Sequence, residues 1–192
     1  NLAQCDVQAE VGSIMEIKEL YELGKLVTFQ PNLKLPVYNW FYFKEGFSRD
    51  FAMWVFREFK LKEGDWVLDP FCGVGTTLLS AMERGINSVG IDAHPVLTFV
   101  SMVKTRRYDL ESLRSASRSV FSGKFEKPSL GEVKPILRKA FSRYALEDIA
   151  FFKGRINEID NPLERDFFIF SLMVSAMRVS YAVKDGAVIR FF

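Results

Sequence analysis

A chain of 192 residues with 48% hydrophobic content reads as a globular sequence, long enough for one sizeable core, and its formal net charge of +2 gives no strong overall pull on nucleic acid. Two distant cysteines, Cys5 and Cys72, and a single histidine, His94, exclude a disulfide framework, a Cys/His zinc site and any catalytic scheme needing two histidines. No apolar run is long enough to span a bilayer and no signal-peptide pattern opens the chain, so the expectation is a cytoplasmic protein without a membrane partner.

Ile14, Ile17, Leu20, Tyr21 and Leu23 have roughly helical spacing, which predicts a helix within residues 13–26 that Gly24 ends. Val27-Thr28-Phe29 and a stretch punctuated by Pro31 and Pro36 come next. The run from Tyr38 to Phe43 is densely aromatic and reads as a loop or strand covering the core, Trp40 and Phe41 above all. Ser48 is placed to N-cap a helix with a buried stripe of Phe51, Val55 and Phe59, and Gly64-Asp65 is a turn before the first strand.

That strand is Trp66-Val67-Leu68-Asp69. Pro70-Phe71-Cys72-Gly73-Val74-Gly75-Thr76-Thr77 comes after it, and a helix then runs to Arg84. Glycines spaced this way let backbone N–H groups come close to a ligand. The start of the next helix adds free donors and the positive end of its dipole, which suits an anionic group. Gly85-Ile86-Asn87 turns the chain into a second strand, Ser88 to Asp92. Pro95 opens a helix through Lys104. A β-α-β-α series implies a parallel sheet with right-handed crossovers. Beyond residue 105 the pattern is almost wholly helical, with Asp109, Ser142 and Asn161 before the helices. Asn161-Pro162-Leu163-Glu164 combines a cap, a first-position proline and a capping-box acid, and predicts a long helix to about Ala182. Lys184-Asp185-Gly186 reads as a turn and 188–192 as the start of a further strand.

Asp69 and Asp92 end two successive strands, the edge where open parallel sheets bind ligands. Asp92 lies about twenty residues past the glycine loop, where a carboxylate commonly accepts from ribose hydroxyls. It also stands where it would cap the helix at Pro95. Leu78 replaces the third glycine of the dinucleotide fingerprint, which points to a cofactor without a pyrophosphate.

Asp69-Pro70-Phe71-Cys72-Gly73-Val74-Gly75-Thr76-Thr77 resembles the cofactor motif of the S-adenosylmethionine-dependent amino-methyltransferases of DNA. Phe43-Lys44-Glu45-Gly46-Phe47-Ser48 is similar to the segment that borders that family's methionine pocket, and Gly90-Ile91-Asp92-Ala93-His94-Pro95 to its second acidic strand. The likeness covers residues 36 to 106. It implies an α/β, Rossmann-like class I methyltransferase fold with a helical insertion, incomplete at its C-terminal end. In that single domain, 1–48 is an N-terminal segment, 49–106 the cofactor-binding β-α-β core, 107–187 the helical insertion, and 188–192 the start of a strand.

The implied cofactor-binding residues are Lys44, Ser48, Asp69, Pro70, Phe71, Cys72, Gly73, Gly75, Thr76, Thr77, Asp92 and Ala93. The Gly73–Gly75 loop would cradle the methionine moiety. Thr76 or Thr77 would bond its carboxylate, and Asp69 would lie near its amino group. Asp92 would take the ribose hydroxyls and Phe71 would wall the site. Lys44 and Ser48 would close the methionine end, although a surface lysine and a plain helix cap describe them equally well. His94 would flank the adenine, and Cys72 itself reads as packing. No metal is implied.

The family's catalytic tetrapeptide, Asp, Asn or Ser followed by Pro-Pro and an aromatic, occurs nowhere in these residues, so the catalytic group is unknown. In the order with the cofactor motif first, it would lie past residue 192. The chain is expected to bind S-adenosylmethionine and nucleic acid, and the doubled threonine favours DNA over RNA. The implied reaction is methylation of an exocyclic amino group, adenine N6 or cytosine N4. The alternatives are a tRNA guanine N2-methyltransferase and a non-catalytic binding relative. Lys104, Arg106 and Arg107 are candidates for phosphate contacts, against the plainer reading of a solvated surface run.

Overall fold

The structure is a computed structural model that describes residues 19–185 and 188–191. The first half of the helix expected over 13–26 lies outside those residues. Its described part is a 3-10 turn, Tyr21–Leu23, closed by Gly24 N–H on the Tyr21 carbonyl. Two more 3-10 turns, Gln30–Lys34 and Tyr38–Trp40, carry the proline-rich and aromatic stretch. Buried Asn32 ties this stretch to the entry of the first long helix. It donates to the Phe47 carbonyl at 3.0 Å and accepts from Arg49 N–H at 2.8 Å.

Helix α1 (Arg49–Glu58) starts at Ser48, whose Oγ accepts from Phe51 N–H at 3.2 Å. Its buried face is Ala52, Met53 and Phe56, not the expected stripe of Phe51, Val55 and Phe59; Phe59 is 76% exposed. A strict four-residue spacing turns 400° per step and drifts about 40° around a helix of 3.6 residues per turn. Phe59 also falls at the C-cap, beyond the last helical residue. The real face packs on Ala81 and Ile86, with Phe47, Leu61 and Val67 around it.

Strand β1 (Trp66–Asp69), helix α2 (Thr76–Glu83), strand β2 (Asn87–Gly90) and helix α3 (Pro95–Thr105) form the expected β-α-β-α unit. The strands are parallel, with Trp66 opposite Asn87 and Asp69 opposite Gly90. Side chains alternate across the pleat. Val67, Ser88 and Gly90 are half-buried, whereas Trp66, Leu68 and Val89 stand exposed on the other face.

The second half is helical: α4 (Leu110–Phe121), α5 (Pro135–Ala140), α6 (Arg143–Asn157) and α7 (Pro162–Arg178). Asp109, Ser142 and Asn161 cap α4, α6 and α7 through their side chains. Glu164 is not a capping-box acid of the expected kind. Its carboxylate accepts from the Asn161 side-chain amide and the Ser112 hydroxyl, joining α7 to α4. Helix α7 stops four residues short of Ala182. Tyr181 N–H is taken by the Ala140 carbonyl at 2.8 Å, which turns the chain out of the helix. Lys184 and Asp185 lie in a strand, not a turn. Strand β3 (Ala182–Asp185) pairs antiparallel with β4 (Val188–Phe191), and Gly186 lies outside the described residues.

One core cluster joins the halves. Phe29, Val74, Val100, Val103 and Phe170 are buried together, with Trp40, Phe41 and Phe43 packed against them. Trp40 meets Phe167 edge-on at 5.7 Å. The aromatic run therefore covers the core, as expected. The Arg106–Asp166 ion pair, at 2.6 Å, fixes the start of α7 beside the far end of α3.

Candidate cofactor site

The loop after β1 is built by its own carboxylates. Asp69 accepts from Phe71 N–H at 3.1 Å through Oδ1 and from the Thr77 hydroxyl at 2.5 Å through Oδ2. Strand pairing continues past the regular register, with Ile91 N–H on the Asp69 carbonyl and Cys72 N–H on the Ile91 carbonyl, both at 2.9 Å. Asp92 then closes the loop from the other strand. Its Oδ2 accepts from Gly73 N–H at 2.9 Å and its Oδ1 from His94 N–H at 2.8 Å. The two strand-end aspartates thus hold opposite sides of one loop.

Both glycines are required by that path. Gly73 has φ +50° and Gly75 φ +81°, in the left-handed region. A Cβ on Gly73 would stand 3.1 Å from the Phe43 ring, and one on Gly75 would stand 2.8 Å from Ser101 Oγ. Gly75 is the N-cap of α2 and offers no side chain, so no side-chain cap takes the first N–H groups of that helix. They have no intrahelical acceptor either, and they carry the positive end of the helix dipole.

Several expected site residues gather here. Phe71 is 86% exposed in the loop with exposed Pro70 before it, and Ala93 and His94 are exposed directly after Asp92. Thr76 and Thr77 are buried in the first turn of α2. The Thr77 hydroxyl is already committed to Asp69, which leaves Thr76 as the threonine hydroxyl free of that bond. Cys72 is buried and burial pushes its thiol pKa up, as befits packing. His94 Nδ1 accepts from Val96 N–H at 3.3 Å, so the histidine, not Asp92, caps α3.

Lys44 is exposed. Ser48 is 0% exposed and spent as the cap of α1, so it presents no surface to a ligand. Lys104 is 2% exposed and Arg106 is paired with Asp166, so the expected basic surface run reduces to Arg107. Of Phe43 and Ser101, the walls against which the two glycines fit, Phe43 is marked in the sequence only as part of the segment resembling a methionine-pocket border, and Ser101 carries no signal there. A phenylalanine in an aromatic run and a serine inside a helix look like ordinary packing.

The donor set fits S-adenosylmethionine. Asp92 spends one bond on each oxygen, and a carboxylate has about four acceptor sites, so room remains for two ribose hydroxyls. The uncapped N–H groups of α2 suit the carboxylate of the methionine moiety.

A family model described as DNA methylase matches residues 58–98, which span β1, the loop, β2 and the start of α3. The chain is 34% identical over 174 residues to the type II methyltransferase M.BsoBI of Geobacillus stearothermophilus, covering 87% of this chain and 34% of that protein. This likeness and the family model together support a DNA amino-methyltransferase family. It is also 28% identical over 172 residues to the type II methyltransferase M.AvaI of Nostoc sp., across 87% of this chain and 36% of that one. To M.MjaII of Methanocaldococcus jannaschii it is 49% identical over 51 residues, 27% of this chain and 10% of the relative. The chain therefore spans about a third of the length of M.BsoBI and M.AvaI. No solved structure matches it. Among the described residues, no helix is long and apolar enough to cross a membrane.

Proposed function

We propose that this chain forms the S-adenosylmethionine-binding part of a DNA methyltransferase that modifies an exocyclic amino group, adenine N6 or cytosine N4. The loop from Asp69 to Thr77 carries the reading. It is a glycine cradle at the carboxyl edge of two parallel strands, closed by an aspartate with unused acceptor capacity. The names of the relatives support DNA as the substrate. The exposed apolar face of β1 and β2 supports a Rossmann-like sheet, which carries helices on both faces.

In this site the N–H groups at the start of α2 hold the carboxylate of the methionine moiety. Asp92 fixes the ribose, and Phe71 and His94 flank the adenine. Asp69 keeps the loop in register by holding Thr77. Bound S-adenosylmethionine supplies the electrophilic methyl group. The protein's part is to hold that methyl in line with the amino nitrogen of the base, and such alignment provides much of the rate.

Calorimetry with S-adenosylhomocysteine tests the site. Asp92→Ala is expected to weaken binding by roughly 1.5–3 kcal/mol, the range for hydrogen bonds to charged groups, or about 10- to 150-fold in Kd. An unchanged affinity with a lowered melting temperature would reduce Asp92 to a brace for Gly73 and His94. Tritiated-methyl transfer to duplex DNA, with tRNA as the second substrate, tests the acceptor. Transfer to tRNA alone would overturn the DNA reading.

A further inference from the structure

Residues 124–143 carry six cations, Lys124, Lys127, Lys134, Arg138, Lys139 and Arg143, against two acids, Glu126 and Glu132. This one segment is more positive than the whole chain, whose net charge is +2. All six cations are exposed. The loop before α5 and the first turn of α6 enclose an open groove of about 680 Å³.

Three of the six line that groove, Lys127, Arg138 and Arg143. Buried Glu147 holds two of them. It accepts from Lys127 Nζ at 3.1 Å and from Arg143 Nε at 2.9 Å. Only Nε of Arg143 is committed, and Arg138 forms no ion pair among the described residues. The groove thus holds three cations to one carboxylate, with two cations fixed in place before any ligand arrives. Tyr144, 79% exposed on the first turn of α6, extends the same surface.

Helices α3 and α7 connect the groove to the glycine loop. Helix α3 leaves the ligand edge at His94 and ends beside the start of α7, where Arg106 pairs with Asp166. Helix α7 packs back along α3, and just past its end Ser180 and Tyr181 are bonded to the Ala140 carbonyl, at the junction of α5 and α6. The start of α6 is therefore tied to the end of α7 that lies away from the Arg106–Asp166 pair.

We infer that this groove takes the phosphodiester backbone of the DNA substrate, with Arg138 and the terminal nitrogens of Arg143 as the phosphate donors. The inference rests on the DNA-methyltransferase reading above. Arginine's planar fork matches a phosphate's oxygens, and each neutralised phosphate releases counterions. Contacts of this kind position the duplex without reading its sequence.

The test is fluorescence anisotropy of the full chain with a labelled duplex over a range of salt concentrations. Arg138→Ala should raise Kd about three- to tenfold, equally for unrelated duplex sequences, and should reduce the salt slope by about 0.9. Arg138→Lys should keep most of the slope, and Lys62→Ala, on the turn before β1, should change neither quantity. Calorimetry with S-adenosylhomocysteine should be unaltered in all three. If Arg138→Ala leaves Kd and slope as in the parent, or moves them no more than Lys62→Ala does, the groove is not a backbone site. A parent that binds cofactor but no duplex would sink the DNA reading itself, a different outcome from an unaltered variant.

Discussion

Gly75→Ala is expected to abolish measurable cofactor binding and to lower stability by about 2–4 kcal/mol. Two costs combine. The residue sits at φ +81°, where a side chain costs roughly 1–2 kcal/mol. The added Cβ would also lie 2.8 Å from Ser101 Oγ, 3.1 Å from its Cβ and 3.2 Å from its Cα. The hydroxyl can rotate away, but the Cα belongs to α3, so the helix itself has to move. That shift would pull at Val100 and Val103, both in the core cluster that joins the halves. It would also turn the first N–H groups of α2 away from the ligand. Gly75→Asn separates the two causes. Asparagine tolerates the left-handed region better than most residues, so a purely conformational cost predicts a mild variant. Packing against Ser101 predicts that asparagine fails as badly as alanine, and that is the expected result. Thermal melts and calorimetry with S-adenosylhomocysteine read both quantities, and near-parental behaviour of either variant would refute the close approach of α3.

The strand–glycine loop–helix arrangement was legible in the sequence because most of its determinants are local. A strand-end aspartate, two glycines in the left-handed region and a helix start lie close together in the chain, whereas Asp92, Phe43 and Ser101, which complete the loop, come from distant parts of it. The caps at Ser48, Asp109, Ser142 and Asn161 were legible for the same reason. What failed was set by distant partners. The buried face of α1 is chosen by Ala81 and Ile86, which no spacing inside the helix reveals. The end of α7 is set by the Ala140 carbonyl, some forty residues back in the chain. Glu164 looks like a capping-box acid, yet its second partner is Ser112, in another helix. The run Lys104-Thr105-Arg106-Arg107 looks uniform as letters, and packing splits it into one buried, one paired and one exposed cation. The same limit hid the groove near Arg138. Its cations are spread over twenty residues, and only the fold brings three of them around Glu147.

Lys104→Met is expected to stabilise the protein at neutral pH. Lys104 is the most deeply enclosed cation among the described residues, with Nζ donating to the Tyr38 carbonyl at 3.3 Å and lying 5.9 Å from the centre of the Tyr38 ring. No carboxylate pairs with it among the described residues. Glu83, the nearest acid in the network, is taken by the Tyr38 hydroxyl and by Arg49. Burial lowers the pKa of Lys104 from 10.5 to about 8. The sign is set by the two values. Between pH 8 and 10.5 the unfolded chain holds the proton that the folded chain has released, so stability rises with pH across that window. Below it both states are protonated and the folded protein bears the full cost of a buried charge, on the order of 3 kcal/mol. Methionine removes that cost and fills a similar volume, but it loses the bond to the Tyr38 carbonyl, worth about 1 kcal/mol. The net gain at pH 7 is about 2 kcal/mol, or roughly 4–8 °C in melting temperature for a domain of this size. Denaturant melts of parent and variant from pH 7 to 10.5 check the account. The stability gap should narrow steadily above pH 8 as the parent catches up. Parallel curves, or a variant less stable than the parent at pH 7, would mean that the carbonyl and the ring of Tyr38 fully compensate the ammonium, and that Lys104 is a structural clamp for the aromatic segment.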